Sequence, residues 1–296
     1  MKFGQVTDPS QIDFTIPPSP DRTIQLLQRY KNDEPLAIFI GCAKWTRADL
    51  KGFYPRGTKD ELTYYATQFN AIELNATFYS SPSKQQVETW RDKTPADFKF
   101  FPKIPQSISH YSRLLRTDEK VEAFVDATVL FEDKLGMAFL QMIENFKPKN
   151  IDRLAEFLRK FPKGYPLSVE VRNQEWFTPE IAETYFLLLE ENKMTNTIVD
   201  TPGRRDMLHM RLTSPTAFVR FVSANHALDY KRLDEWITTI VQWKEAGLQQ
   251  LNFFIHQKID VETPLLAAYF IENLNLALGS TIYIPQKTVN SGSIHI

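Results

Sequence analysis

Two short strings carry most of the chemistry this chain offers. Ala71-Ile72-Glu73-Leu74-Asn75 reads as a strand with apolar flanks, yet it holds a carboxylate and an amide two residues apart. Leu167–Arg172 repeats the device with Glu170 and Arg172. Side chains of a strand alternate faces, so each pair points one way. An ionised carboxylate in an apolar strand is costly unless a cation or hydrogen bonds compensate it. The functional reading makes Glu73 and Glu170 general acids or bases, with Arg172 or Lys103 holding an anionic group. The structural reading has Arg172 or Lys103 neutralise Glu73, since buried ion-pair networks need no chemistry to exist. Lys103, if desolvated, could also serve as a base or a Schiff-base nucleophile. Asp200, in Ile198-Val199-Asp200-Thr201-Pro202, is a fourth catalytic candidate or a turn cap.

Positioning these groups takes a repetitive scaffold. Apolar runs of 4–6 residues alternate with helical patterns of 12–20 residues, the rhythm of βα units. The expected strands are Ala37–Cys42, Ala71–Asn75, Phe98–Lys103, Met137–Gln141, Leu167–Arg172, Thr197–Asp200, Phe218–Phe221 and Leu251–His256. Between them lie stripes at helical spacing, such as Leu154, Phe157, Leu158 and Phe161, or Leu233, Trp236, Ile237 and Ile240. Eight strands with intervening crossovers predict an α/β fold, a single-domain (β/α)8 TIM barrel over residues 35–280. A proline-rich N-terminal arm (1–34) precedes it and a C-terminal tail (281–296) follows. An open doubly wound sheet would show a glycine-rich first turn, which Gly41-Cys42-Ala43-Lys44-Trp45 is not.

A barrel of this kind does its chemistry where strands end. Read in that way, Lys44, Trp45, Asn75, Tyr79, Gln141, Arg172, Arg220 and His256 are candidate substrate-binding residues. His110, in the loop after the third strand, joins them as an acid/base candidate. Aromatics just past the strands, Trp45, Phe53, Tyr54, Phe78, Tyr79, Tyr111 and Trp176, could stack bases or sugars, or simply pack the rim.

Composition narrows the partners. Thirty-five basic against 36 acidic residues give no overall steering toward nucleic acid, which is therefore not favoured. Cys42 is alone, and the five histidines show no H-x-x-x-H or H-E-x-x-H spacing, so neither metal nor cofactor is expected. No stretch reads as a signal peptide and no run of about 18 apolar residues could span a bilayer. A cytoplasmic monomer without membrane contact, binding a small polar or anionic ligand, is the expectation.

Several motifs in register resemble the YecE-like family, the domain of unknown function 72. They are Ile40-Gly41-Cys42-Ala43-Lys44-Trp45, Lys51-Gly52-Phe53-Tyr54-Pro55, and Phe69-Asn70-Ala71-Ile72-Glu73-Leu74-Asn75-Ala76-Thr77-Phe78-Tyr79. Pro82-Ser83, Trp90, Thr94-Pro95, Lys103, His110, Glu170-Val171-Arg172, Trp176-Phe177 and Asp200 keep the same order over roughly residues 37–278. The resemblance implies a TIM-type barrel and brings no firm activity. Fold-level likeness to endonuclease IV and xylose isomerase implies at most a hydrolase or nuclease by analogy. Two mouth positions depart from the family pattern: Arg220-Phe221-Val222-Ser223 replaces Arg-Leu-His-Gly, and Phe254-Ile255-His256-Gln257 replaces Phe-Asn-Asn. An enzyme of hydrolase or lyase type ranks ahead of a nuclease-like barrel and of a non-catalytic one.

Overall fold

The computed structural model describes residues 4, 6–257 and 262–286. Its eight strands are β1 (Ala37–Cys42), β2 (Ala71–Leu74), β3 (Lys99–Pro102), β4 (Ala138–Gln141), β5 (Leu167–Glu170), β6 (Thr195–Asp200), β7 (Thr216–Val222) and β8 (Gln250–His256). All pair in parallel in the order β3-β2-β1-β8-β7-β6-β5-β4. Two single bridges, Phe100 to Leu135 and Lys103 to Phe139, bring β3 against β4 and complete the ring. The architecture is the (β/α)8 barrel expected. Strand ends differ by one or two residues, and Asn75, Lys103 and Arg172 lie just past their strands.

The helices are α1 (Asp21–Tyr30), α2 (Glu61–Gln68), α3 (Ala76–Tyr79), α4 (Lys84–Asp92), α5 (Asp118–Thr128), α6 (Ile151–Lys160), α7 (Pro179–Glu191), α8 (Leu228–Ala246) and α9 (Thr263–Leu278). Local sequence fixes their ends. Asp60 caps α2 by accepting from Thr63 N at 2.9 Å, and Pro179 and Pro264 sit in the first turns of α7 and α9. Gly279 ends α9 with φ +67°, a conformation that needs no Cβ. The apolar stripes bury Leu154, Phe157 and Leu158 of α6, and Leu233, Trp236 and Ile240 of α8, against the outer strand faces.

Alternation along the strands builds the lumen. Outward residues such as Ile72, Phe100, Leu140, Val169, Val219 and Phe253 pack under the helices. Inward, Phe101, Phe139, Phe218 and Phe254 fill the barrel as an aromatic layer with Ala71. Two residues further along the same faces stand Lys103, Gln141, Arg220, His256 and Glu73. One strand step therefore carries the lumen from hydrocarbon to charge.

The N-terminal segment is not loose. Ile16 N donates to Glu235 at 3.0 Å, Ser19 accepts from Trp243 at 2.7 Å, and Leu26 and Leu27 of α1 join the main core. It runs along α8 from the barrel mouth, where Gly4 O accepts from Gly203 N at 3.0 Å. Of the expected tail, residues 287–296 lie outside the described residues; Gln286 N donates to Gln68 at 3.0 Å.

Candidate functional site

Arg220 on β7 organises the mouth. Its Nε and Nη2 donate to Glu73 Oε2 and Oε1 at 2.8 and 3.0 Å, while Nη1 donates to Glu170 Oε2 at 2.7 Å. One fork thus spans two carboxylates from β2 and β5, the planar bidentate geometry that guanidinium favours. The remaining lone pairs are also used. Asn75 Nδ2 donates to Glu73 Oε1 at 2.8 Å, and His256 Nε2 lies 2.8 Å from Glu73 Oε2. Gln141 Nε2 and Arg172 Nε donate to Glu170 Oε1 at 3.0 and 2.6 Å. Six of the expected site residues converge with Arg220 here: Glu73, Asn75, Gln141, Glu170, Arg172 and His256.

The electrostatics follow from this pairing. Burial alone would raise the Glu73 carboxyl, but Arg220 and then His256 outweigh it and hold it well below the usual range. Glu170 is likewise raised by burial and pulled down to about 2 by Arg172 and Arg220. Both stay ionised near neutrality, so neither carries a proton to donate. Of the acid or base roles expected for Glu73 and Glu170, this ionisation state corresponds to the base.

Lys103 is placed differently from expectation. It was the anticipated partner of Glu73, yet Arg220 takes that place, and Lys103 Nζ makes no hydrogen bond or ion pair among the described residues. It rests over the Phe78 ring at 4.2 Å and faces Phe139 at 5.6 Å; Phe139 is shared with Arg220, whose Cζ stands 5.4 Å from it. Burial lowers its pKa to about 7, helped by Arg220 and opposed only in part by Glu73 and Glu170. An ammonium over a ring recovers roughly 0.5–2 kcal/mol, too little to replace its hydration. Its backbone is pinned, with Thr77 Oγ1 donating to Lys103 O at 2.7 Å and Lys103 N to Leu74 O at 3.2 Å. His110, edge-on to Phe78 at 4.9 Å and 2.9 Å from Ser109 Oγ, is lowered to about 4 by burial and by the charges of Lys103 and Arg172.

A cleft of about 590 Å³ opens above this cluster, with Arg172, Arg220 and His256 in its floor. Val6, Thr7 and Pro9 of the N-terminal segment form one wall, and Val199, Thr201, Asn225 and His226 contribute others. The sequence held no sign that the arm would reach the mouth.

Four expected site residues are not brought in. Asp200 points outward, as does Ile198; Trp236 Nε1 donates to it at 2.9 Å, Arg232 pairs with it at 2.7 Å, and Arg205 is also bound. Its catalytic assignment is therefore corrected to a tie between β6 and the helical layer. Lys44 pairs with Asp49 at 3.0 Å on the surface, Trp45 packs edge-on to Trp90, and Tyr79 is 73% exposed. The supposed aromatic rim divides in the same way, since Phe53, Tyr54 and Trp176 are buried in the core while Tyr79 and Tyr111 are exposed. Among the described residues there is no group of three or more His, Cys, Asp or Glu that could hold a metal, and no helix is long and apolar enough to cross a membrane.

Comparison with known proteins agrees with this barrel. The family described as "Protein of unknown function DUF72" matches residues 39–289. The chain belongs to the DUF72 family. YecE of Escherichia coli K12, a UPF0759 protein, is 26% identical over 277 residues, covering 85% of this chain and 98% of its own. YunF of Bacillus subtilis is 28% identical over 175 residues, covering 56% of this chain and 61% of its own. Among solved structures, the DUF72 protein TM1631 of Thermotoga maritima superposes with a TM-score of 0.63 at 25% identity, covering 81% of this chain and 99% of that one. The DUF72 protein EF0366 of Enterococcus faecalis gives 0.66 at 19% identity, covering 81% and 98%. None of these names carries an activity.

Proposed function

We propose that the barrel mouth of this DUF72 protein binds and turns over a small anionic substrate. Arg172 and Lys103 provide the charge that attracts it, and Lys103 is the group that exchanges protons. The observation that carries the reading is a surplus of basic groups in a buried setting. Arg220 and Arg172 already answer Glu73 and Glu170, and Lys103 comes in addition, with its Nζ in no ion pair among the described residues. An anion in the cleft would complete that balance. Glu73 and Glu170 act as orienting groups in this reading, because both remain deprotonated. A lysine titrating near 7 matches what a general base or acid needs at neutral pH. A nucleic-acid surface draws less support, as the basic and aromatic residues of the rim are largely spent on packing and surface pairs.

Calorimetry with inorganic phosphate and a panel of small carboxylates tests the reading. At least one anion should bind, and Arg172→Ala should weaken it tenfold or more. Because a bound anion favours the protonated amine, affinity should tighten as pH falls through about 7. Absence of binding across the panel, or binding indifferent to Arg172, would sink the proposal.

A further inference from the structure

The geometry points to Lys103 as a nucleophilic amine, and to a carbonyl compound bearing a carboxylate, such as a 2-oxo acid, as the substrate class of the mouth. This rests on the anion-binding reading above and adds to it a covalent step.

Three structural observations lead there. First, Lys103 is 8% exposed, and its Nζ has no acceptor among the described residues although two carboxylates share its mouth. Other lysines of this chain find acceptors, as Lys134 Nζ does on the Arg91 and Thr94 carbonyls at 2.6 and 2.5 Å. An ammonium has three protons to place, whereas a neutral amine tolerates a site without acceptors. Second, the rings of Phe78 and Phe139 stand 4.2 and 5.6 Å from Nζ, so hydrocarbon takes the place of part of its hydration shell. Desolvation of this kind is the usual way a lysine is made nucleophilic. Third, Arg172 and Arg220 line the cleft, where guanidinium groups can hold a carboxylate, and both lie near enough to Lys103 to act on its charge.

The step balances without an oxidant or reductant. The Nζ lone pair forms a bond to the carbonyl carbon as the C=O π bond breaks, and one amine proton passes to the oxygen, giving a carbinolamine. A proton from solvent then lets that hydroxyl leave as water, and the nitrogen lone pair closes the iminium. The carboxylate stays on the arginines throughout, so the new cation sits where the ammonium would have been.

Reductive trapping tests this on the full chain. Glyoxylate, an aldehyde with an adjacent carboxylate, is incubated with the protein and sodium cyanoborohydride at pH 7, followed by intact mass and peptide mapping. The expected result is one adduct, on Lys103, at least a hundredfold faster than on any surface lysine and absent in Lys103→Arg. Acetaldehyde, which lacks the carboxylate, should label Lys103 at least tenfold more slowly. Thermal unfolding of Lys103→Arg and of Lys103→Met checks that loss of labelling is not loss of fold. Adducts scattered over surface lysines with Lys103 unmodified overturn the inference. If glyoxylate binds by calorimetry yet Lys103 stays unlabelled, the anion reading survives and the carbonyl chemistry falls. Labelling of Lys103 by acetaldehyde as fast as by glyoxylate overturns the substrate class and the anion reading beneath it.

Discussion

Two buried charge networks flank the same barrel wall, and they differ in what they leave over. The outer one joins Asp200, Arg205, Arg232 and Asp229. Arg232 bridges Asp200 and Asp229, each at 2.7 Å, and lies between the rings of Phe14 and Phe221 at 4.6 and 4.2 Å. Asp229 further accepts from the backbone of Ala224 and His226. Two acids meet two arginines, and the N-terminal segment closes over them. The inner network has the same count of acids and arginines, then adds Lys103 and His256 and opens on a cleft. A balanced, lidded network ties elements together; an unbalanced, open one has capacity to recognise something else. Charge in a strand is by itself neutral between these uses.

Substitutions should break the contrast in graded fashion. Arg220→Met strands two buried carboxylates at once and should cost about 3–5 kcal/mol in chemical denaturation. The double variant with Glu73→Gln should recover part of that, and full additivity would refute the coupling. Asp200→Asn should cost about 2 kcal/mol, by loosening β6 from α8, while leaving anion affinity at the mouth unchanged. A large loss of binding there would erase the distinction between the networks.

Lys103→Met should move stability the other way. The folded amine titrates at about 7 against 10.5 unfolded, so between these values the unfolded chain holds the extra proton and stability rises with pH. The variant lacks that slope. It should be more stable than the parent by up to about 4–5 kcal/mol at pH 7 and below, with the gap closing toward pH 10.5. The smallest effect concerns acid. His209, between Phe177 and Phe186, is lowered to about 4 by burial, as is His110. Between pH 6.5 and 4 the unfolded state binds the protons, so stability should fall across that window as pH drops. His209→Phe should flatten it by about 1–2 kcal/mol.

The sequence makes some of this plain and hides the rest for physical reasons. Continuous apolar runs and helical stripes locate all eight strands, because burial on both faces demands them. Glu73 stands out for the same reason, as a carboxylate where hydrocarbon is expected. Its partner does not, since Arg220 lies 147 residues away and only ring closure brings them together. Arg220 shares the parity of Phe218 in β7, and that inward register was the available sign. Parity also explains Asp200. Ile198 faces the helices and Val199 the cleft, so Asp200 must face outward. Position at a strand end was not enough; the face decides. Lys103 passed for a counter-ion because nothing local shows that an arginine has already taken the acid.

The ring has a seam. β7 and β8 pair along their full length, from Thr216 with Gln250 to Val222 with His256, whereas β3 and β4 touch only at two bridges. One of these is Lys103 with Phe139, and the Phe139 ring faces Lys103 Nζ. The amides that close this joint are those of Ile104, donating to Phe139 O at 2.9 Å, and Gly136, donating to Phe100 O at 2.8 Å. A parting of this joint would expose the lysine to water and move its basicity back toward the ordinary value. Variants that loosen the joint should therefore raise deuterium uptake at Ile104 and change the labelling rate of Lys103 together.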